Sequence, residues 1–295
     1  MPVSLEAPRA LVQRRIALEL AADVRLWCRG PMTSDARGNP LRARTGTLAL
    51  GFWLASRGLG SRLAVGLTAL LTVGGVTAAF WLVRHGATTL AAVPTVTAYA
   101  LTWGAGLSLA AMASIRAPYR DAETGVLAFV LARGATLGEY VRGRVGGLSL
   151  WVVVCVGGGT LVAIAGTLAA ARPTEALLRS SAGALAYSLA FGLIVGPVAM
   201  ATLGARARLR GYVALLLVVV LPDLAASWTE RHLLPDGWSE LASIPAALGA
   251  LRAAAFNRPD WLRCARALAG LIALVAVSLV AVTTHAARAA ERSAP

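Results

Sequence analysis

The residues that could do chemistry are few and scattered. The three histidines (His85, His232, His285) and three cysteines (Cys28, Cys155, Cys264) include no pair at metal-ligand spacing. Three dispersed cysteines also build no disulfide framework. No Gly-x-Ser-x-Gly nucleophile elbow occurs. All 28 basic residues are arginine. A phosphate-binding loop needs Gly-Lys followed by Ser or Thr, so any ATP would have to be bound by a partner chain. The triplet Gly157-Gly158-Gly159 lies within an apolar run, where small residues serve close helix packing rather than phosphate binding. No catalytic, cofactor or metal site is therefore expected in this chain. One acid, Asp223, does follow Pro222 inside an apolar run. Counted from Tyr212, about eleven residues at ~1.5 Å each put it past mid-bilayer, where an ionisable group points to function. The competing reading, which the sequence favours, makes it the N-cap of a short helix over 224–228.

The densest cluster of charge is 121–144, D-A-E-T-G-V-L-A-F-V-L-A-R-G-A-T-L-G-E-Y-V-R-G-R. Asp121 and Glu123 suit a helix N-terminus. A helix from there puts Val126, Phe129, Val130 and Arg133 on one face, at spacings of three and four. Gly134 reads as a break. Thr136 followed by Glu139 is a capping-box pattern that starts a second helix.

The elements that must position this elbow are apolar. Hydrophobic residues make up 57% of the 295 and mean hydropathy is +0.68, too high for an ordinary soluble domain. The net charge of +14 is carried by arginine alone, which with the Ala and Gly content points to a GC-rich bacterial genome. No soluble stretch is long enough to gather those arginines on one nucleic-acid-binding face. Six spans read out at 63–83, 90–115, 145–171, 182–203, from Tyr212 to an interruption at Pro222-Asp223, and 267–287. Most reach the ~20 apolar residues a spanning helix needs; the fifth is short. The run 47–56 is too short to cross a ~30 Å core and suits an interfacial helix with Trp53 at headgroup level. The stretch 241–256, broken by Pro245 and Gly249, is expected to dip into the outer leaflet.

Residues 1–44 carry arginine and acids throughout, so no cleavable signal peptide is expected. Val12, Ile16, Leu20, Val24 and Trp27 form a stripe at helical spacing, flanked by an Arg15–Glu19 pair. It reads equally as a membrane- or partner-docking helix and as one packed on the protein's own spans. With the N-terminus inside, the inner segments hold 20 of the 28 arginines. That bias places both termini and the 116–144 elbow in the cytoplasm. His85 and His232 then fall outside and His285 inside, so the three cannot share a metal.

The elbow resembles the coupling-helix region of type-2 (exporter-class) ABC transporter permeases, whose usual pattern is roughly E-x-x-S-G-T-L-E-x-L-L-x-x-P-V-S-R-x-E-Y-V-x-G-K. Glu123, Thr124, Gly125, Leu127, Leu131, Thr136, Glu139, Tyr140, Val141 and Gly143 fall in step, and Arg144 stands where Lys is common. Gly134 departs from the usual Pro, and Ala132-Arg133 follows the second Leu of the pair. The resemblance implies an all-α membrane protein of the bacterial cytoplasmic membrane with six transmembrane helices. The N-terminal amphipathic segment (1–44) is read from its own stripe, and its first thirty or so residues have no obvious part in the resemblance, which covers a permease domain (45–295). That domain would carry an elbow helix (47–56), a cytosolic coupling helix between spans 2 and 3 (119–135), and short outer helices between spans 5 and 6. It also implies two copies of an ABC ATPase that carries the ATP and Mg, and a second or sister permease. On that reading Val126, Phe129 and Val130 fill an apolar cleft on the ATPase, Glu123 and Arg133 contact its rim, and Gly125 lies between.

Two other functions share these features. A membrane scaffold would use the elbow for docking without transport. An intramembrane enzyme acting on lipid-like substrates would rest on Asp223 alone.

Overall fold

The computed structural model describes residues 40–86, 88–205, 208–232, 239–256 and 260–293. Among these every regular element is a helix. Six helices are long and apolar enough to cross a bilayer: Gly60–Arg84, Ala92–Glu123, Leu137–Ala170, Glu175–Leu203, Leu209–Ala226 and Trp261–Arg292. This is the architecture of a multi-pass membrane protein, and these helices are called spans 1 to 6 below. The Val12–Trp27 stripe, Cys28 and the rest of residues 1–39 lie outside the described residues.

Polar side chains, rather than the ends of the apolar runs, fix where several helices start. Thr136 Oγ1 accepts from the Glu139 N–H (3.2 Å), and Glu139 Oε2 accepts from the Thr136 N–H (2.8 Å). This reciprocal box satisfies two otherwise orphaned donors and starts span 3 at Leu137, eight residues before the 145 boundary read from hydropathy. Thr174 caps span 4 through the Leu177 N–H (3.2 Å). Asp260 caps span 6 through the N–H groups of Leu262 (3.1 Å) and Arg263 (3.3 Å).

Span 4 is the axis of the bundle. Two thirds of its apolar window, 67%, is buried, against 22%, 17% and 22% for spans 1, 5 and 6. Tyr187, Phe191, Val195, Val198, Ala199 and Met200 on this helix belong to the core, with Leu101, Leu109, Leu148 and Val152 from spans 2 and 3. Spans 2 and 3 each contain a π-helical segment, Ala100–Gly106 and Val153–Gly157, which meet beside span 4. The approach is close: a Cβ on Gly106 would lie 2.8 Å from Val156 Cγ2 and 2.9 Å from Phe191 Cε1.

Two sequence expectations are corrected. First, the helix expected to break at Pro222 is continuous from Arg208 to His232. A membrane helix tolerates an internal proline because neighbouring helices, hydroxyl side chains and local adjustments of the helix re-satisfy the freed backbone groups. Asp223 is therefore a mid-helix residue and not an N-cap. It accepts a hydrogen bond from Ser243 Oγ, and Ser243 is the residue that caps the following helix, through the Ala246 N–H at 3.2 Å. Second, 241–256 is not broken at Pro245 and Gly249. A short Ser239–Ala242 helix is followed by Ile244–Phe256, with Pro245 in the first turn where its missing N–H costs nothing. Ala247 and Leu248 of this helix are fully buried against spans 4 and 6.

The helix that contains 47–56 starts at Pro40 and packs on its own bundle. It crosses the start of span 3 at a contact that only glycine permits: a Cβ on Gly51 would lie 2.1 Å from Gly143 O, and one on Gly147 would lie 2.1 Å from the Phe52 nitrogen. Phe52 meets Trp151 edge-on (centroids 5.1 Å apart), and Trp53 lies under the Arg57 guanidinium (4.3 Å).

Candidate functional site

The last turns of span 2 and its connection to span 3 are built from two short helices and two left-handed glycines. Ile115 and Arg116 end the membrane run. Arg116 has φ 52°, and its N–H donates to Leu203 O at 2.9 Å, tying the end of span 2 to the end of span 4. A helix over Ala117–Glu123 stops at Gly125 (φ 75°), a second covers Val126–Ala132, and Gly134 (φ 82°) closes it. Glycine takes these angles without the Cβ crowding that makes them uncommon for other residues. A single helix running on from Asp121 does not form.

Asp121 and Glu123 thus sit in the last turn of a helix, at the unfavourable end of its dipole. Each has a cation to offset this. Glu123 is exposed and paired with Arg116 (2.7 Å). Asp121 is buried, and its Oδ2 accepts from Tyr140 OH (2.7 Å) and from Arg144 Nε (2.9 Å). Arg144 is only 2% exposed, so this pair lies out of reach of water. Arg144 Nη1 also approaches Gly51 O of the 40–56 helix at 3.5 Å. One guanidinium therefore touches three elements: the end of span 2, its own span 3 and the helix before span 1.

The triad was not singled out by sequence reasoning. The signal for it was present: Tyr140 and Arg144 stand four apart, on one face at the mouth of an apolar run, with an acid across the turn.

No protein-family model and no curated protein matches this chain.

The six elbow residues singled out from the sequence divide by burial. Phe129 is 38% exposed, with the Arg133 guanidinium over its ring at 4.2 Å. Glu123 and Gly125 are exposed beside them. Val126 and Val130, at 8% and 6%, turn inward with the fully buried Leu127. The apolar face of three residues read from the spacing is therefore one exposed aromatic, because a helix resting on the bundle must spend its i, i+4 stripe on its own core.

The other candidates stay apart. His85 Nδ1 lies 2.8 Å from Trp81 O, and His285 Nε2 lies 3.0 Å from Ala201 O. Cys264 is buried and Cys155 half-buried. Among the described residues no three His, Cys, Asp or Glu gather. Gly159, in the glycine triplet, sits where a Cβ would come within 2.8 Å of Thr72 Oγ1 on span 1.

Mid-bundle, an aromatic cluster joins spans 2 and 4. Trp103 Nε1 donates to Tyr187 OH (2.6 Å), Tyr99 stacks obliquely on Tyr187 (4.6 Å), and Trp103 meets Phe191 edge-on (5.3 Å). Both partners recur at i, i+4 (Tyr99 and Trp103, Tyr187 and Phe191), a spacing visible in the sequence but not read from it.

Proposed function

We propose that this chain is the membrane-spanning permease subunit of a bacterial ABC exporter, with ATP hydrolysis on a separate ATPase. The observation that carries the reading is the exposed face of the 126–132 helix. Phe129, stacked under Arg133, projects from a short helix whose other side, Val126 and Val130, is buried. Such a helix can transmit a push. The 117–123 helix just before it is held to span 3 through the Asp121–Arg144 pair, and Arg116 at the start of that helix is held to span 4 through Leu203 O.

The resemblance of 123–144 to coupling-helix sequences agrees with this. So does the arginine bias, which puts the segment on the cytoplasmic side with both termini. In this scheme the chain works as a pair with itself or a sister permease, above two ATPase subunits that hold ATP and Mg. Phe129 enters an apolar cleft on the ATPase, Glu123 and Arg133 contact the rim, and Val126 and Val130 hold the helix to its own bundle. Closure of the ATPase pair moves the segment and rearranges the spans toward the outside.

The test is a mild-detergent pull-down of the tagged chain with mass spectrometry. Recovery of an ATPase bearing a phosphate-binding loop, near one to one, is expected, and its loss in Phe129→Asp with the membrane domain still monodisperse. Recovery of no nucleotide-binding protein with an intact bundle, or unchanged ATPase stoichiometry in Phe129→Asp, would overturn the reading. An ATPase partner without ATP-dependent flux in vesicles would favour a scaffold.

A further inference from the structure

Spans 2, 3 and 4 interrupt their backbone ladders at one level. Span 2 does so in the π-helical segment Ala100–Gly106, and span 3 in Val153–Gly157. Such turns are rare inside α-helices and recur at functional sites. Span 4 does so at Pro197, which has no N–H to give to Leu193 O one turn earlier. Ser149 Oγ of span 3 donates to that carbonyl instead, at 3.4 Å. Contacts between the spans fix the common level. Gly106 packs on Val156 and Phe191, and Gly192 packs on Val153, each so closely that a Cβ would clash. Phe191, Gly192 and Leu193 are consecutive. Both π segments and the freed carbonyl therefore meet within a single turn of span 4.

Packing is loose at the same level. A small cleft with room for about one water molecule lies among Trp103 and Leu107 of span 2, Ile194 and Val198 of span 4, and Leu215 and Val219 of span 5. Pro222 of span 5 follows Val219 by less than one turn. Polar ties lie to either side of this layer. Towards the elbow, the Arg116 N–H donates to Leu203 O (2.9 Å), and the Asp121–Arg144 pair joins the 117–123 helix to span 3 (2.9 Å). Towards the opposite ends, the Thr160 and Ser188 hydroxyls bond at 2.8 Å, and those of Thr95 and Ser180 at 3.0 Å. Spans 2, 3 and 4 thus form two bonded bodies that meet at a layer of interrupted backbone.

We propose that this layer is a hinge, at which the elbow-side halves of spans 2, 3 and 4 tilt as one body against the opposite halves. The π segments absorb part of the change in angle. The Leu193 carbonyl, already without a backbone donor, moves against the Ser149 hydroxyl with no ladder bond broken. The cleft gives Trp103 and its neighbours room to shift. A bend elsewhere in these spans would break a backbone hydrogen bond with no water to replace it. The 117–135 segment rides on the elbow-side body. Only the force that drives the tilt rests on the proposed ATPase contact; the hinge belongs to this chain alone.

The test is double electron–electron resonance on the full-length chain in nanodiscs. Spin labels are carried on a non-native ketone side chain, so that Cys155 of the span-3 π segment stays in place. Ala128, Leu150, Val96 and Leu178 are all exposed. Ala128 with Leu150 reports within the elbow-side body, Val96 with Leu178 within the opposite body, and Ala128 with Leu178 across the layer. The distance distribution across the layer is expected to be broader than either of the other two. Pro197→Ala, which restores an N–H to Leu193 O, should narrow it to the width of the within-body pairs. Ser149→Ala, which removes the substitute donor, should broaden it further. Gly74→Ala on span 1, where a Cβ meets nothing within 4 Å, should leave it unchanged. A distribution across the layer as narrow as those within each body would overturn the proposal. So would an unchanged width in a monodisperse Pro197→Ala or Ser149→Ala variant, or equal narrowing in Gly74→Ala. These widths are read without an ATPase, so they stand or fall apart from the pull-down.

Discussion

Removing Asp121 tests whether the 117–135 segment is clamped to the bundle. Its Oδ2 accepts from Tyr140 OH at 2.7 Å and Arg144 Nε at 2.9 Å, and Asp121 and Arg144 are each only 2% exposed. Hydrogen bonds to a charged group contribute roughly 1.5–3 kcal/mol each, and removing one member of a buried pair costs about 3–5 kcal/mol because the other charge is stranded. Asp121→Leu and Arg144→Met are each expected to lose about 3–5 kcal/mol. Tyr140→Phe should lose about 1.5–3 kcal/mol. The double variant Asp121→Leu/Arg144→Met leaves no unpaired charge and should lose far less than the sum, with a coupling of about 3 kcal/mol, the upper range for residues in direct contact. The assay is reversible unfolding in mixed micelles by titration with an anionic detergent, followed by circular dichroism. Single losses below about 1 kcal/mol, the scale of an exposed ion pair, together with additivity in the double variant, would refute a buried clamp.

Other substitutions probe separate elements by the same unfolding assay. Gly51→Val would force a side chain against Gly143 O, where a Cβ already lies at 2.1 Å, and should cost at least the ~1–3 kcal/mol of an overpacked contact; Gly66→Val, which meets nothing within 4 Å, should be near neutral. Thr136→Ala should cost about 1 kcal/mol by loss of the span-3 cap, and adding Glu139→Ala should cost little more because the two share one box. Ser243→Ala loses both the Asp223 contact and the cap of the 244–256 helix, about 1–2 kcal/mol. Asp223→Ala in that background should add almost nothing; full additivity would place Asp223 in a contact of its own.

The six spans were legible in the sequence because crossing a bilayer sets a length and a composition that no local detail can disguise. The capping box at Thr136 and the break at Gly134 were legible because both act within four residues of chain. Pro222 and Pro245 misled for the converse reason: a proline's cost depends on its place, being nil in a first turn, as at Pro245, and, inside a helix as at Pro222, on whether the surroundings re-satisfy the freed backbone groups. What only the tertiary structure decided is which side of each helix faces the protein. Spacing put Val126, Phe129 and Val130 together, and packing divided them, sending the two valines inward and leaving the aromatic outside. Spacing could not say that Asp121, Tyr140 and Arg144 meet, that Gly51 lies on Gly143, or that Arg252 reaches the ring of Tyr99. In an apolar chain nearly every helix face is hydrophobic, so the pattern that marks the buried side of a soluble helix is missing. The choice then falls to shape, to glycines that allow close approach, and to the few polar groups that must find each other away from water.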